Sequence, residues 1–309
     1  MKSDFSILSK IKAAMFDYDG TLTMRSEFVP SDELVAVLND LAENGVPIAV
    51  CTGRQLESFQ RRFGPHVEQL SHKARENFYF FGENGAIGYK YDASAGGEGE
   101  WSFKEIYRGE WPSEIPKEKF REDLLAATAH ISEPVEGHEI PFVLRPINAL
   151  EIPIEDVHRI SDDIFEALDK FIPAYEVKDP ENGEVYRASD YLHYGNSGLG
   201  CIVGPASADK DGAIKAFYEY LRDVGGEGGV EFEEDDGRCR EILVVGDNPC
   251  VRGNDHFFLN GTYGTSFTVG LEDDDLEGEV PGKVFDKNGQ RLFHGEGTLY
   301  LLKELQKNL

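Results

Sequence analysis

Short apolar runs that end abruptly in polar loops alternate with helical patterns at both ends of the chain. Ala13-Ala14-Met15-Phe16 runs straight into Asp17-Tyr18-Asp19-Gly20, which reads as a buried strand whose C-terminal tip opens into a polar loop. Ser31 caps a predicted helix with Leu34, Val35, Val37, Leu38 and Leu41 at helical spacing, and Gly45 is placed to stop it. Val46 to Cys51 is a second apolar run, broken by Thr52-Gly53-Arg54. Strand, helix, strand in this order predicts a parallel sheet. A third run, Glu241 to Val245, ends in Gly246-Asp247-Asn248-Pro249. The C-terminal strand ends of open parallel sheets line the ligand crevice, so the three polar tips are expected to converge.

The helix expected over Asp209 to Leu221 presents Ala213, Ile214, Phe217 and Leu221 on one face and carries Lys210 in its first turn. A cation there opposes the helix dipole, so Lys210 either serves an anion or is a solvated surface lysine. The middle of the chain breaks the alternation. Gly96-Gly97-Glu98-Gly99 punctuates it, and two helical patterns between Ile115 and Tyr186 flank Phe142 to Ile152. One of these helices shows Ile164, Phe165, Leu168, Phe171 and Ile172 on a face, with Ser161 as its expected N-cap. The pattern predicts an α+β module inserted at 109–193 into an α/β core made of 1–108 and 194–309, closed by a helix over Gly295 to Leu305. There is no internal repeat.

Composition narrows the partners. A chain of 309 residues, 40% hydrophobic, can bury a sizeable core in one large or two medium domains. With 31 basic against 58 acidic residues the net charge is −27, which opposes binding to nucleic acid or anionic membranes and makes any phosphate site depend on local compensation, a bound cation being one form. The acidic stretches Glu231 to Asp236 and Glu272 to Glu279 read as solvated loops. Cys51, Cys201, Cys239 and Cys250 form no C-x-x-C pair and have no histidine at zinc spacing, so they read as reduced thiols. No run approaches the roughly 20 apolar residues that span a bilayer. A cytoplasmic protein is expected; nothing in the sequence sets its oligomeric state.

The candidate chemistry sits at the strand tips. Asp17 and Asp19 lie two apart, and Gly20 and Thr21 after them allow a sharp turn that exposes amides and a hydroxyl. One ionised carboxylate can attack phosphorus while the other carries a proton to the leaving oxygen and later takes one from water. Together with Asp247 they form the oxygen-rich pocket that Mg2+ prefers. Thr52 can donate to a phosphoryl oxygen or cap the helix entering at Gly53. Lys210 can neutralise charge on the equatorial oxygens of a phosphoryl group in transfer.

Phe16-Asp17-Tyr18-Asp19-Gly20-Thr21-Leu22-Thr23, Val50-Cys51-Thr52-Gly53-Arg54, Lys210 with Gly212, and Val245-Gly246-Asp247 with Asn254-Asp255 resemble, in order and spacing, the four motifs of the haloacid dehalogenase superfamily. Glu83-Asn84-Gly85-Ala86 is similar to the segment after the second motif in its subfamily with a large α+β cap between motifs two and three. The resemblance covers the core and implies a Rossmann-like sheet, a nucleophile at Asp17 and a general acid/base at Asp19. It further implies magnesium on the Asp17 carboxylate, the Asp19 backbone carbonyl and Asp247. Thr52 and Lys210 would hold the phosphoryl group, with Gly20, Thr21, Gly53 and Asn84 also at the phosphate or substrate; Arg54 would reach the substrate or brace the Asn84 loop; Asn254 and Asp255, with Asn248 beside them, would orient Lys210 or water on the metal.

In common members of that subfamily Asn-Asp follows the fourth-motif Asp after about three residues, whereas here Pro249 to Gly253 lengthen the loop. A longer loop of this kind, and Asp17 to Thr23 followed by Met24-Arg25, are similar to phosphomannomutases. The resemblance therefore implies either a magnesium-dependent phosphatase acting on a small sugar or polyol phosphate, or a phosphohexomutase. A mutase needs a second phosphate site with clustered bases, and Lys117, Lys119, Arg121, Arg145, Arg159 and Lys178 are spread among acids. A non-catalytic binding protein is the third reading, and intact chemistry at all four motifs weighs against it.

Overall fold

The computed structural model describes residues 5–24, 27–92, 103–223, 230–235, 238–261, 263–270 and 281–309. Arg25, the glycine-rich segment at 96–99, Asp236 and the acidic stretch 272–279 lie outside the described residues.

An eight-stranded sheet forms the core. Its spatial order is Gly282–Lys283, Thr265–Thr268, Ile242–Gly246, Ala13–Phe16, Ile48–Cys51, Phe78–Gly82, Ile87–Tyr91 and Phe103–Arg108. The first six strands run parallel and the last two return antiparallel. Met15 pairs with Val244 on one side and Ala49 on the other, so the three predicted strands are neighbours. From Ala13–Phe16 the chain winds first to one side and later to the other. The tip of this strand is therefore the switch point of the sheet, where the flanking loops diverge and leave a crevice.

Side chains alternate between the faces, as the strand period of two requires. Ala14, Phe16, Ile48, Val50, Phe78 and Phe80 join the helices Asp32–Glu43, Leu56–Gln69 and His294–Gln306 in one core layer. Ala13, Met15, Ala49, Cys51, Tyr79 and Phe81 pack on the other face against the helices Lys210–Asp223 and His256–Asn260. Ser31 caps the first long helix as expected, its hydroxyl accepting from the Leu34 amide at 3.3 Å.

A second, antiparallel sheet of four strands, ordered Leu192–Asn196, Cys201–Pro205, Phe142–Pro146 and Ser132–Val135, is covered by the helices Lys117–Thr128 and Ile154–Ala174 around a separate core. The inserted module thus runs to Pro205 rather than to 193, because the return strands belong to its sheet and not to the alternating core. Apolar runs that feed either sheet look alike in one dimension. Ser161 is likewise not an N-cap: it is buried inside the helix Ile154–Ala174, with Pro153 at the N-cap, and its hydroxyl donates to Asn196 Oδ1 at 2.6 Å. No described helix is long and apolar enough to cross a membrane.

Candidate active site

Asp17 leaves the tip of the central strand, its amide still donating to Val245 O at 2.9 Å, and only 4% of it is exposed. Tyr18 turns the other way into the core, edge-on to Phe59 and Phe63 with ring centroids 5.9 and 5.6 Å apart, and its hydroxyl donates to Phe28 O at 3.0 Å. This anchor holds the loop that carries both aspartates. Gly20 follows at φ 77°, and a Cβ there would stand 2.5 Å from Asp247 Oδ2. Glycine is what lets the first loop close against the fourth-motif carboxylate. Thr21 is fully buried, and its hydroxyl finds no hydrogen-bond partner among the described residues.

Lys210 is buried, which excludes the surface-lysine reading. Its Nζ donates to Asp17 Oδ1 and to Asp255 Oδ1, both at 2.5 Å. Asp255 is fully buried, and its other oxygen accepts from the amides of Asp247 and Asn248 at 3.0 and 3.1 Å. Burial raises the Asp17 carboxyl to about 7, with Lys210 pulling it down and the Asp255 charge pushing it up. Burial also opposes the Lys210 charge, but Asp17 and Asp255 together hold the ammonium above its ordinary value.

Asp17, Asp247 and Asp255 each offer an oxygen within 4.8 Å of the others. Three grouped carboxylates, two of them sharing one ammonium, are a donor set that fits a hard divalent cation. Both oxygens of Asp255 are already engaged, so Asp17 and Asp247 are the members of the group that could offer oxygens to a cation.

The second strand tip comes in from the side. Thr52 is buried, and its hydroxyl accepts from the Arg54 amide at 3.3 Å. It does not cap a helix, since the next one begins at Leu56 behind Gln55. Arg54 reaches back to Asp19 with two bonds, Nε to Oδ2 at 2.9 Å and Nη2 to Oδ1 at 2.5 Å. Asn84, in the left-handed region at φ 61°, donates its amide to Thr52 O at 2.8 Å, and the Glu83 amide donates to Arg54 O at 2.9 Å. The loop at 83–84 and the second motif are therefore stitched together through backbone.

The lengthened fourth-motif loop has a structural use. Asn196 of the cap donates its amide to Arg252 O at 2.7 Å, and the Asn254 amide donates to Asn196 O at 3.2 Å. Asn248 Nδ2 donates to both Asn196 O and Asn254 Oδ1, at 3.0 and 3.2 Å. The Arg252 guanidinium lies 5.4 Å from the ring centroid of Phe165 on the long cap helix. Residues 249–253 thus dock the fourth-motif loop on the cap strand Leu192–Asn196, and Asn248 and Asn254 are engaged in that junction.

Residues 14–95 match the family model described as haloacid dehalogenase-like hydrolase. That segment carries Asp17, Asp19, Thr52 and Asn84. No curated protein sequence matches it with significance. Among solved structures, it is similar to the N-terminally truncated IMP-nucleotidase of Plasmodium falciparum, with 16% identity and a TM-score of 0.58, covering 98% of this chain and 72% of that one. It is also similar to the C-terminal domain of C. albicans trehalose-6-phosphate phosphatase, with 15% identity and a TM-score of 0.58, covering 100% and 99%. At these identities the likeness is one of fold.

Several residues around the site carry no assigned role in the sequence motifs. Buried Glu83 accepts the amides of Glu139 and Ile140 at 2.8 and 2.9 Å, and His138 bonds Gly53 O at 3.2 Å, so a cap hairpin loop sits on the second motif. His294, also buried, bonds Gly20 O at 2.8 Å from 274 residues away. His193 bonds Asp209, the residue before Lys210, at 2.6 Å. The sequence itself points at two of them: Glu83 stands in the Glu83-Asn84-Gly85-Ala86 segment, and His193-Tyr194 reads as a surface or core pair whose one functional reading is a substrate contact.

Proposed function

We propose that this protein is a phosphatase that hydrolyses a small phosphorylated metabolite, a sugar or polyol phosphate, by way of an aspartyl-phosphate on Asp17. The observation that carries the reading is the buried group in which Lys210 bridges Asp17 and Asp255 at 2.5 Å each, beside Asp247. A structural ion pair would need one carboxylate, not two on one ammonium with a third beside them. A divalent cation, magnesium by the all-oxygen donor set, would be held by the Asp17 and Asp247 carboxylates and the Asp19 carbonyl, and when bound it would offset the repulsion between nucleophile and phosphate.

The remaining chemistry belongs to the chain's own side chains. An Asp17 oxygen forms a bond to phosphorus as the bond to the leaving oxygen breaks, and Asp19 gives that oxygen its proton. Asp19 then takes a proton from water, whose oxygen attacks the phosphorus of the acyl phosphate and restores Asp17. Lys210 neutralises charge spreading over the phosphoryl oxygens, and the Thr52 hydroxyl and the loop at Gly20, Thr21 and Gly53 supply donors to them. The cap, tied to the core through Glu83 and Asn196, covers the crevice and limits the water that enters.

The cap also favours hydrolysis over a mutase. Arg121 pairs with Glu136, Arg145 with Glu133, Arg159 with Asp156 and Lys119 with Asp123. Basic groups already matched to acids form no cluster for a second phosphate. The four cysteines are free thiols, which suits a reducing compartment, and a cytoplasmic location is part of the proposal. Release of inorganic phosphate from a panel of phosphorylated metabolites, with magnesium and with chelator, tests the reading. Release that needs the metal and disappears in Asp17→Asn supports it; interconversion of hexose 1- and 6-phosphates without release would replace it with the mutase.

A further inference from the structure

His193 projects from the cap strand Leu192–Asn196 at the junction with the core. Its ring stacks on Phe257 of the core helix His256–Asn260, with centroids 3.8 Å apart and planes within 3°. Its Nδ1 lies 2.6 Å from Oδ2 of Asp209, whose other oxygen accepts the Gly212 amide at 3.0 Å. The Asp209 side chain is 7% exposed, and that of His193 is 33% exposed. A carboxylate can only accept, so Nδ1 carries a hydrogen and Nε2 is the ring nitrogen left for a ligand. Ring orientation is therefore set, an arrangement that a surface histidine does not need.

His193 lines a cleft together with Asn84, Lys210 and Asn254. Nε2 has no hydrogen-bond partner among the described residues. Asn84 Oδ1 in the same cleft is buried and also lacks a partner among them. Both residues line a cleft whose only ammonium among the described residues, that of Lys210, is committed to carboxylates. A ligand part that fills this space must give a hydrogen to Asn84 Oδ1 and bond the free ring nitrogen of His193. Neighbouring hydroxyls, each able to donate and to accept, satisfy both.

We propose that His193, held by Asp209 and Phe257, is a specificity-determining residue whose Nε2 hydrogen-bonds a hydroxyl of the leaving group, with Asn84 Oδ1 accepting from a second hydroxyl. The assignment rests on the phosphatase reading and narrows it to vicinally hydroxylated leaving groups. A hydrogen bond of this kind is worth about 3- to 10-fold in affinity.

The test compares hexitol and hexose 6-phosphates with p-nitrophenyl phosphate, which carries no hydroxyl on its leaving group, in the parent, His193→Ala and His193→Gln. The readout is the ratio of kcat/KM for the two substrate classes. The expected result is a ratio lowered about 3- to 10-fold in His193→Ala, mainly through KM, and partly restored by the glutamine amide in His193→Gln. Equal losses on both classes, the result of a purely structural role at the cap junction, overturn the assignment. A parent protein that releases phosphate from neither class defeats the phosphatase reading itself. In that event His193 is judged by binding: the His193 ring 15N resonances must shift on titration with hexitol 6-phosphate and magnesium, and resonances that stay still overturn the proposal.

Discussion

Arg54 grips Asp19 through two parallel bonds at 2.9 and 2.5 Å, so the second motif fixes the position of the second carboxylate of the first. Both side chains are partly exposed, at 21% and 47%, and an exposed ion pair contributes only about 0–1 kcal/mol to stability. Its value lies in orientation. Arg54→Ala is expected to leave the melting temperature within a few degrees of the parent while lowering kcat at least about tenfold, because a general acid loses its pre-set geometry. Arg54→Lys, which cannot make the paired contact, should recover little of it. Steady-state kinetics beside a thermal melt would decide, and an unchanged kcat would remove Asp19 from the proposed role.

Lys210 compensates two buried carboxylates at once. Removing one partner of a buried ionic group costs about 3–5 kcal/mol, since the remaining charges are left without a counterpart. Lys210→Met should therefore both abolish phosphate release and lower the unfolding free energy by about that amount. Saturating magnesium should return part of the stability without the activity. Chemical denaturation with and without the metal measures the two effects separately.

The pH dependence follows from Asp17. Burial raises its carboxyl to about 7, so in the cation-free protein a divalent ion must displace a proton below that pH. Magnesium affinity is expected to fall by about one logarithmic unit per pH unit below 7 and to level off above it. A folded-state value above the unfolded one also means that the cation-free fold is most stable at low pH, from this group, and loses that contribution as pH rises through about 7. Calorimetric titration in buffers of different ionisation enthalpy counts the released proton. Asp17→Asn should release none.

Gly20 makes a sharper structural prediction. Its φ of 77° and the 2.5 Å approach of a built Cβ to Asp247 Oδ2 leave no room for a side chain. Gly20→Ala carries a left-handed backbone cost of about 1–2 kcal/mol and pushes the Asp247 carboxylate away from Asp17. Loss of magnesium binding with a modest drop in melting temperature is expected. Unaltered metal affinity would mean that Asp247 is not a ligand.

Much of this protein can be read along the chain, because each core strand is a short apolar run whose polar tip announces itself. Asp17, Thr52 and Asp247 come to one crevice for that reason: adjacent parallel strands put all their C-terminal ends at one edge of the sheet. The helix Lys210–Asp223 was visible in its apolar spacing, yet two fates of Lys210 were open. Only packing chose the buried one, since burial of an ammonium depends on where Asp17 and Asp255 arrive from 193 and 45 residues away.

Sequence by itself determined the α/β core, the inserted α+β module and the candidate carboxylates, because periodicity and motif spacing are local properties of a chain. Tertiary structure decided what depends on distant segments meeting. It assigned Cys201–Pro205 to the cap sheet, turned the longer fourth-motif loop into a cap contact at Asn196, and set His193 between Asp209 and Phe257. Hydrogen bonds and ring contacts act over a few ångströms in space and leave no period in the sequence, so these arrangements appear only once the chain is folded.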